Sequence, residues 1–296
     1  MDDDDLFNDL LDLGHEDVTH VERTTYKRSP FAYTGAKYRS LKHIIPVINQ
    51  YLTSTSQWAD HFTGSGVVSF NVKPVKRMML NDRYSGIVAF FRALRDKRDE
   101  LLAYLKQMPP TSREEWVHAS TIWCDEKDDV KRAAYWFYMM RLSVIGKGQS
   151  FGRSFVQPYT PVPESLKLFG PISGILKNFV IENLDAIVSF DDYDSHSTVH
   201  YLDPPYLNTD AGTYEGRWTK DDMRRLLHLV KNAKGTVILS HYPNEMIDGQ
   251  TFWTKRYSWE VAVTAEAQAF QKENNKVDHF GGLGQAVECL WVKENG

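Results

Sequence analysis

A chain of 296 residues that is 42% hydrophobic can bury a substantial core, and is expected to hold one domain with a sizeable insertion, or two domains. No apolar run is long enough to span a bilayer, and no basic start precedes an apolar stretch, so neither a membrane protein nor an exported one is expected. Two cysteines, Cys124 and Cys289, make neither a disulfide framework nor a zinc site, which points to a reducing, cytoplasmic compartment and to no bound metal.

The formal charge of −4 conceals a split, because residues 1–17 carry eight acids and no Lys or Arg, leaving +4 for the rest. That opening, within 1–25, reads as a solvated disordered arm, as a short helix docking on a protein partner through Leu6, Phe7, Leu10 and Leu11, or as a competitor with DNA for a basic surface. Such a surface exists in the sequence. From Val130 to Pro163 there is no acid against Lys131, Arg132, Arg141, Lys147 and Arg153, a pattern that suits a phosphate-facing stretch or a solvated helix face.

Tyr33-Thr34-Gly35-Ala36-Lys37-Tyr38 comes next, ahead of an amphipathic helix with Leu41, Ile44, Ile45 and Ile48 on one face. A glycine-bearing turn with an aromatic and a lysine can hold a carboxylate and cover a flat group. Trp58 to Phe62 reads as a strand, followed by Thr63-Gly64-Ser65-Gly66 and an apolar helix start at Val67 and Val68. Glycines between a strand and a helix let the backbone approach a ligand where open α/β sheets bind nucleotides. A dinucleotide fingerprint would want a third glycine where Ser69 stands, and the Gly-Lys-Ser/Thr ending of a phosphate loop is missing. A second strand, Arg77 to Asn81, ends at Asp82, and an acid there can accept from both hydroxyls of a ribose. Asp60 either faces a bound group or caps the following helix.

Tyr84 to Leu105 is helical in pattern, with a stripe of Ile87, Phe90, Phe91, Leu94, Leu101, Leu102 and Leu105. Pro109-Pro110 breaks it, and residues 109–178 lack strand-helix alternation, which marks a target-recognition insertion. At its centre an aromatic helix, Ala133 to Val144, carries Tyr135, Trp136, Phe137 and Tyr138. Consecutive aromatics cannot share one face, so most are packing and one or two reach the surface. The helix runs into a loop with glycines, Lys147, Gln149, Ser150 and Arg153, suited to a phosphate backbone or to base edges in the major groove.

Phe179 to Ile181 resumes the strand pattern, and Val199 to Leu202 ends at Asp203-Pro204-Pro205-Tyr206. Each proline fixes its own φ and restricts its neighbour. The Asp203 carboxylate and the Pro204 carbonyl then form a rigid acceptor pair beside the Tyr206 ring. That pair suits a flat ring bearing an exocyclic NH2: drawing both hydrogens into acceptors frees the nitrogen lone pair, with no strong base required. The bland alternative is a Pro-Pro turn that simply ends a strand. Beyond it, Leu207 to Trp218 is a polar loop with Tyr214, Arg217 and Trp218, able to close over an extrahelical base or press into a duplex, or else an ordinary surface connection. Thr219 with Asp222 caps a helix that buries Met223, Leu226, Leu227 and Val230. Thr236 to Ser240 is a doubly buried strand. Strand-like runs at Trp259 to Val263 and Val287 to Val292 flank a mobile loop over 268–285.

The tetrapeptide resembles the signature of the amino-methyltransferases, and with Asp first it is similar to the N6-adenine DNA methyltransferases. Members with Asn or Ser first more often act on glutamine, RNA or cytosine N4. The donor-side motifs resemble the Dam-like α-group: an aromatic before Ala-Gly-Gly-Lys-Tyr, here with Ala36 for the second glycine, and an acid before Phe-x-Gly-x-Gly. The resemblance implies that Tyr33, Lys37, Asp60, Phe62, Gly64, Gly66, Asp82, Asn183 and Asp203 hold S-adenosylmethionine. Within that set Asp60 faces the amino group, Asp82 the ribose, and Asn183 with Leu184 and Asp185 the adenine. It also implies that Arg141 and Gly146 belong to a DNA-reading segment. Ile145 replaces the usual Asn there, so the usual target sequence is not implied. A terminal antiparallel pair carrying Glu-x-Leu-Trp is matched by Glu288 to Trp291.

The expected fold is α/β, a Rossmann-like methyltransferase sheet flanked by helices, with a mainly helical target-recognition insertion. The divisions are the arm at 1–25, a catalytic domain over 26–108 and 179–296, and the insertion over 109–178. The expected activity is methyl transfer to adenine N6 of a flipped-out base in double-stranded DNA. Asp203, Pro204, Pro205 and Tyr206 are the catalytic residues, and Arg141, Lys147, Gln149, Arg153, Tyr214 and Trp218 contact DNA. An enzyme for cytosine N4 or RNA, and a DNA-binding protein with a degenerate pocket, are the alternatives. A nicotinamide-dependent dehydrogenase is disfavoured by Ser69 and by the lack of a paired acid-base constellation.

Overall fold

The computed structural model describes residues 26–152, 162–207, 218–262 and 285–295. The acidic arm, Arg153, Tyr214 and nearly all of the loop expected over 268–285 lie outside them.

Seven strands form one sheet in the order β3-β2-β1-β4-β5-β7-β6. They are β1 Gln57–Asp60, β2 Arg77–Asn81, β3 Phe179–Glu182, β4 Thr198–Leu202, β5 Thr236–His241, β6 Lys255–Ala262 and β7 Gln285–Lys293. The first five are parallel, and every position of β4 and β5 is buried, as strands covered on both faces must be. Strand order reverses at β1 and β4, so the crevice between their carboxyl ends is where such a sheet receives a ligand. β7 runs against β5, with Leu290 opposite Ser240 and Cys289 opposite His241. Its early residues, Glu288 among them, therefore lie at the same end as the last residues of β5.

The helices are α1 Leu41–Tyr51, α2 Ser85–Asp96, α3 Arg98–Gln107, α4 Arg113–Ile122, α5 Asp129–Arg141, α6 Val162–Leu166, α7 Phe169–Leu176, α8 Ala186–Tyr193, α9 Lys220–Asn232 and α10 Glu245–Asp248. Among the described residues, no helix is long and apolar enough to cross a membrane. The single helix expected over 84–105 is two, because Lys97 leaves the helical region (φ −132°, ψ 35°) to end α2 and begin α3. Ile87, Phe90, Leu94, Leu101 and Leu105 are buried on both sides of this corner, so the apolar stripe crosses it without a break. The helix expected from Val67 is only an irregular turn, closed by Phe70 N–H to the Gly66 carbonyl and Val72 N–H to the Val68 carbonyl. Pro74 follows directly and disfavours helical backbone at Lys73.

Region 109–178 is helical where described, and its central helix is part of the main core. Tyr135, Trp136, Phe137 and Tyr138 are all buried, so none of the four serves as surface. The reason is that α5 is enclosed on separate sides by α2, α3 and α4. Phe137 stacks on Phe90 at 5.0 Å, and Trp136 lies so close to Gly86 that an added Cβ would come within 2.1 Å of its ring. On the opposite layer α9 is closed by the expected capping box of Thr219 and Asp222, and buries Met223, Leu226, Leu227 and Val230.

Candidate active site

The chain leaves β4 at Leu202 and passes through Asp203-Pro204-Pro205-Tyr206. Prolines cannot donate to a neighbouring strand, so sheet pairing stops and the Asp203 carboxyl stands at the crevice with 14% of its side chain exposed. Its Oδ2 lies 2.7 Å from Lys37 Nζ, whereas its buried Oδ1 accepts no hydrogen bond among the described residues. The Pro204 carbonyl meets no donor there either. Two neighbouring acceptors thus open from one stiff turn.

Lys37 belongs to this turn more than to the glycine loop. Its ammonium donates to the Gly35 carbonyl at 3.0 Å, pairs with Asp203, stands 3.7 Å from Glu288 Oε1 and lies 4.8 Å from the centre of the Tyr206 ring. Tyr206 donates its hydroxyl to Glu288 Oε1 and lies 3.2 Å from Ser240 Oγ. Its ring rests on His241 at 4.4 Å and meets Tyr242 edge-on at 4.5 Å. One residue further, Leu207 N–H donates to His241 Nε2 at 3.0 Å, which leaves Nδ1 to donate to the Tyr242 carbonyl at 2.8 Å. Burial lowers His241 to about 4, so this neutral tautomer holds the end of the turn at physiological pH.

A second cluster lies at the ends of β1, β2 and β3. Asp82 Oδ2 accepts from Gly64 N–H at 2.8 Å and its Oδ1 from Tyr84 N–H at 2.9 Å. Gly64 and Gly66 have φ of 50° and 75°, a region side chains rarely occupy. A Cβ on Gly66 would also fall 2.4 Å from the Phe70 ring, and one on Gly64 3.2 Å from the Tyr33 ring. Asn183 donates its amide to the Asp82 and Arg83 carbonyls at 2.8 and 3.1 Å. Tyr33, Gly64, Gly66, Asp82 and Asn183 therefore converge.

Asp60 joins the two clusters. It is buried, with Oδ2 accepting from the Ser69 hydroxyl at 2.6 Å and Oδ1 from Phe62 N–H at 3.3 Å, while Trp58 Nε1 donates to Ser69 Oγ at 2.9 Å. Loss of hydration pushes Asp60 up to about 7 against the pull of Ser69 and Phe62, and the charges of Asp203 and Asp82 push the same way. Asp203 is likewise raised by burial, to about 6, with Lys37 opposing and Glu288 adding. Ser69, Ser240, His241 and Glu288 were not expected at the site. Only Glu288 left a mark in the sequence, as the first residue of the terminal Glu-x-Leu-Trp. Among the described residues, no group of three or more His, Cys, Asp or Glu is arranged to hold a metal ion.

Of the expected DNA contacts, Arg141, Lys147, Gln149 and Trp218 are described. Arg141 ends α5 half-buried, and its buried Nε has no hydrogen-bond partner among the described residues. Burial lowers its pKa. Lys147 is half-buried and Gln149 exposed, on a loop closed by Val144 N–H to the Ser150 carbonyl and Gly152 N–H to the Leu142 carbonyl. Gly146 (φ 63°) seats this loop on the donor segment so closely that a Cβ would fall 2.2 Å from the Ala32 carbonyl oxygen. Trp218 is half-buried and meets Phe62 edge-on at 5.4 Å. The loop at 141–152 and the crevice are thus joined through residues 32 and 33.

A family model described as D12 class N6 adenine-specific DNA methyltransferase matches residues 33–263. No curated protein matches the chain.

Proposed function

We propose, for a chain that belongs to the D12 class of N6 adenine-specific DNA methyltransferases, that Asp203 and Pro204 are the acceptors at which the adenine amino group is activated. Methyl transfer from S-adenosylmethionine to adenine N6 in DNA is the family's reaction, and the donor supplies a methyl group on a cationic sulfur. The residues suit that donor. Asp82 is a carboxylate suited to a ribose, Gly64 and Gly66 carry no side chain between the backbone and a ligand, and Asp60, Asp82, Asp203 and Glu288 outnumber the Lys37 ammonium in a crevice that would receive a cation. In this reading Tyr33, Asp60, Phe62, Gly64, Gly66, Asp82 and Asn183 hold the donor. Lys37 holds Asp203.

The observation that carries the reading is the Asp203 Oδ1 beside the Pro204 carbonyl, neither of which accepts a hydrogen bond among the described residues. Each accepts one amino hydrogen of an adenine lying along the Tyr206 wall, which turns the nitrogen lone pair toward the incoming carbon. Lys37 keeps the carboxylate ionised, so the acceptor is an anion in a water-poor site, where such an interaction is strong. After transfer the nitrogen must lose a proton, and Asp203, pushed up to about 6, is the group at hand to receive it.

An adenine inside a duplex cannot reach this crevice, so double-stranded DNA must give up the base from its stack. Region 109–178 serves as the recognition element, with Arg141, Lys147 and Gln149 on the phosphate backbone and base edges. Trp218, together with Arg153 and Tyr214, which lie outside the described residues, completes the proposed DNA contacts. Both cysteines are free, and a reducing cytoplasm keeps them so.

The test is transfer of labelled methyl to double-stranded DNA, with digestion to nucleosides. Wild type yields N6-methyladenine. Asp203→Ala loses about a thousandfold or more in rate, while calorimetry finds donor and DNA affinities within severalfold of wild type. Transfer persisting in Asp203→Ala would overturn the assignment.

A further inference from the structure

Glu288 is a charged side chain in a place where charges are rarely left alone. It is 5% exposed, on the antiparallel strand β7, and its carboxylate reaches toward the end of β5. Oε1 accepts from the Tyr206 hydroxyl and from Ser240 Oγ at 3.2 Å, and stands 3.7 Å from Lys37 Nζ. A carboxylate so enclosed needs a cation and hydrogen bonds to remain ionised. The cation it has is shared, because Lys37 lies 2.7 Å from Asp203 Oδ2. One ammonium therefore serves two carboxylates, and one of them also carries the catalytic tyrosine.

We infer that Glu288 is a positioning residue for methyl transfer: it fixes Tyr206 through its hydroxyl and, by sharing Lys37 with Asp203, sets the pH above which the Asp203 carboxylate is available. The inference rests on Asp203 being the acceptor.

The surroundings of Asp203 make Glu288 the adjustable element. Lys37 faces it from the donor segment, Asp60 from the end of β1, Tyr201 from β4, Tyr206 from its own turn and Tyr242 from beyond β5. His241 beneath the ring is neutral. The tyrosines are held protonated by burial, and Asp60 is engaged by Ser69 and Phe62. That leaves Lys37 and the Tyr206 hydroxyl, which favour the Asp203 anion, and Glu288, which opposes it. Neutralising Glu288 gives the ammonium wholly to Asp203, and neutralising Lys37 does the reverse. The two changes move the ionisation of one carboxyl in opposite directions.

Single-turnover methyl transfer at saturating donor and DNA, measured from about pH 5 to 9, separates this role from a merely structural one. In Glu288→Gln the acid limb moves about one pH unit lower, the plateau rate falls about tenfold, and KM for donor and DNA changes less than about twofold. Tyr206→Phe keeps the Glu288 charge and removes a hydroxyl that favours the Asp203 anion, so its rate falls and its acid limb does not move to lower pH. A Glu288→Gln protein with lowered Tm but an unmoved acid limb overturns the inference, as does a Tyr206→Phe limb displaced to lower pH as far as that of Glu288→Gln. Should Glu288→Gln fail to fold, Lys37→Gln reads the same coupling. Its limb moves to higher pH, and an unmoved limb overturns the inference. Asp203→Asn in the same assay loses transfer; if it does not, the acceptor assignment fails and takes this inference with it.

Discussion

The catalytic end of the sheet and the loop at 141–152 are neighbours built on opposite plans. At the catalytic end, ionisable groups close over one another. Lys37 bridges Asp203 and Glu288, Ser69 engages Asp60, and His241 is held as a neutral acceptor. In the loop, glycines shape the backbone and Arg141 has a buried guanidinium nitrogen with no hydrogen-bond partner among the described residues. A site that must present one open acceptor to a small amine benefits from satisfying everything around that acceptor. A surface that must meet phosphates benefits from a cation left unneutralised. The difference is whether the charged groups of each region are engaged with one another before a ligand arrives.

The most severe way to break this pairing is to remove the stem that carries the loop. Trp136→Ala opens a cavity where α5 meets Gly86 and Phe90, and is expected to cost about 3–5 kcal/mol in denaturant unfolding. Transfer and DNA binding should decline together. Lys37→Gln tests the satisfied side, with a loss of about a hundredfold to a thousandfold in single-turnover rate at neutral pH, read alongside calorimetry showing that the donor still binds. The sign of its pH effect follows from Asp203, already raised by burial to about 6. Without the ammonium the carboxyl rises further, so activity present at alkaline pH is lost sooner as pH falls.

Arg141→Gln tests the unsatisfied side. DNA affinity should fall about tenfold, and the slope of log affinity against log salt should shrink by about one. A loss of transfer rate larger than the loss of affinity would mean that Arg141 supports the crevice instead of meeting phosphate. The smallest effect is expected at the first turn of α9. Thr219→Ala removes the capping box of α9 and should cost about 1 kcal/mol in thermal or denaturant unfolding, with transfer at permissive temperature close to wild type.

Much of this was legible along the chain. Asp203-Pro204-Pro205-Tyr206 at a strand end, glycines after β1, an acid after β2 and the Thr219 cap are local signals. Each rests on backbone geometry that neighbouring residues impose. The α2-α3 corner at Lys97 was not legible, because a stripe that stays buried on both sides gives no sign of a bend. The aromatic run on α5 misled in part: consecutive aromatics imply different directions, and here all of those directions lead into protein. Ser69 read as the residue that spoils a nucleotide fingerprint, and folding gives it a positive role beneath Asp60.

The order of the motifs and the chemistry of each, a carboxylate with a carbonyl, a lysine in a glycine turn, an acid suited to a ribose, were determined by the sequence alone, because residue type and close spacing are enough to specify them. Which groups share a charge was decided by tertiary structure. Lys37 meets Asp203 instead of the glycine loop, and Glu288 reaches Tyr206 from 82 residues away, because β7 runs against its neighbours and delivers its first residues to the crevice. The partner of a buried charge depends on which strands lie side by side, and that information is carried by the packed sheet rather than by any single stretch of chain.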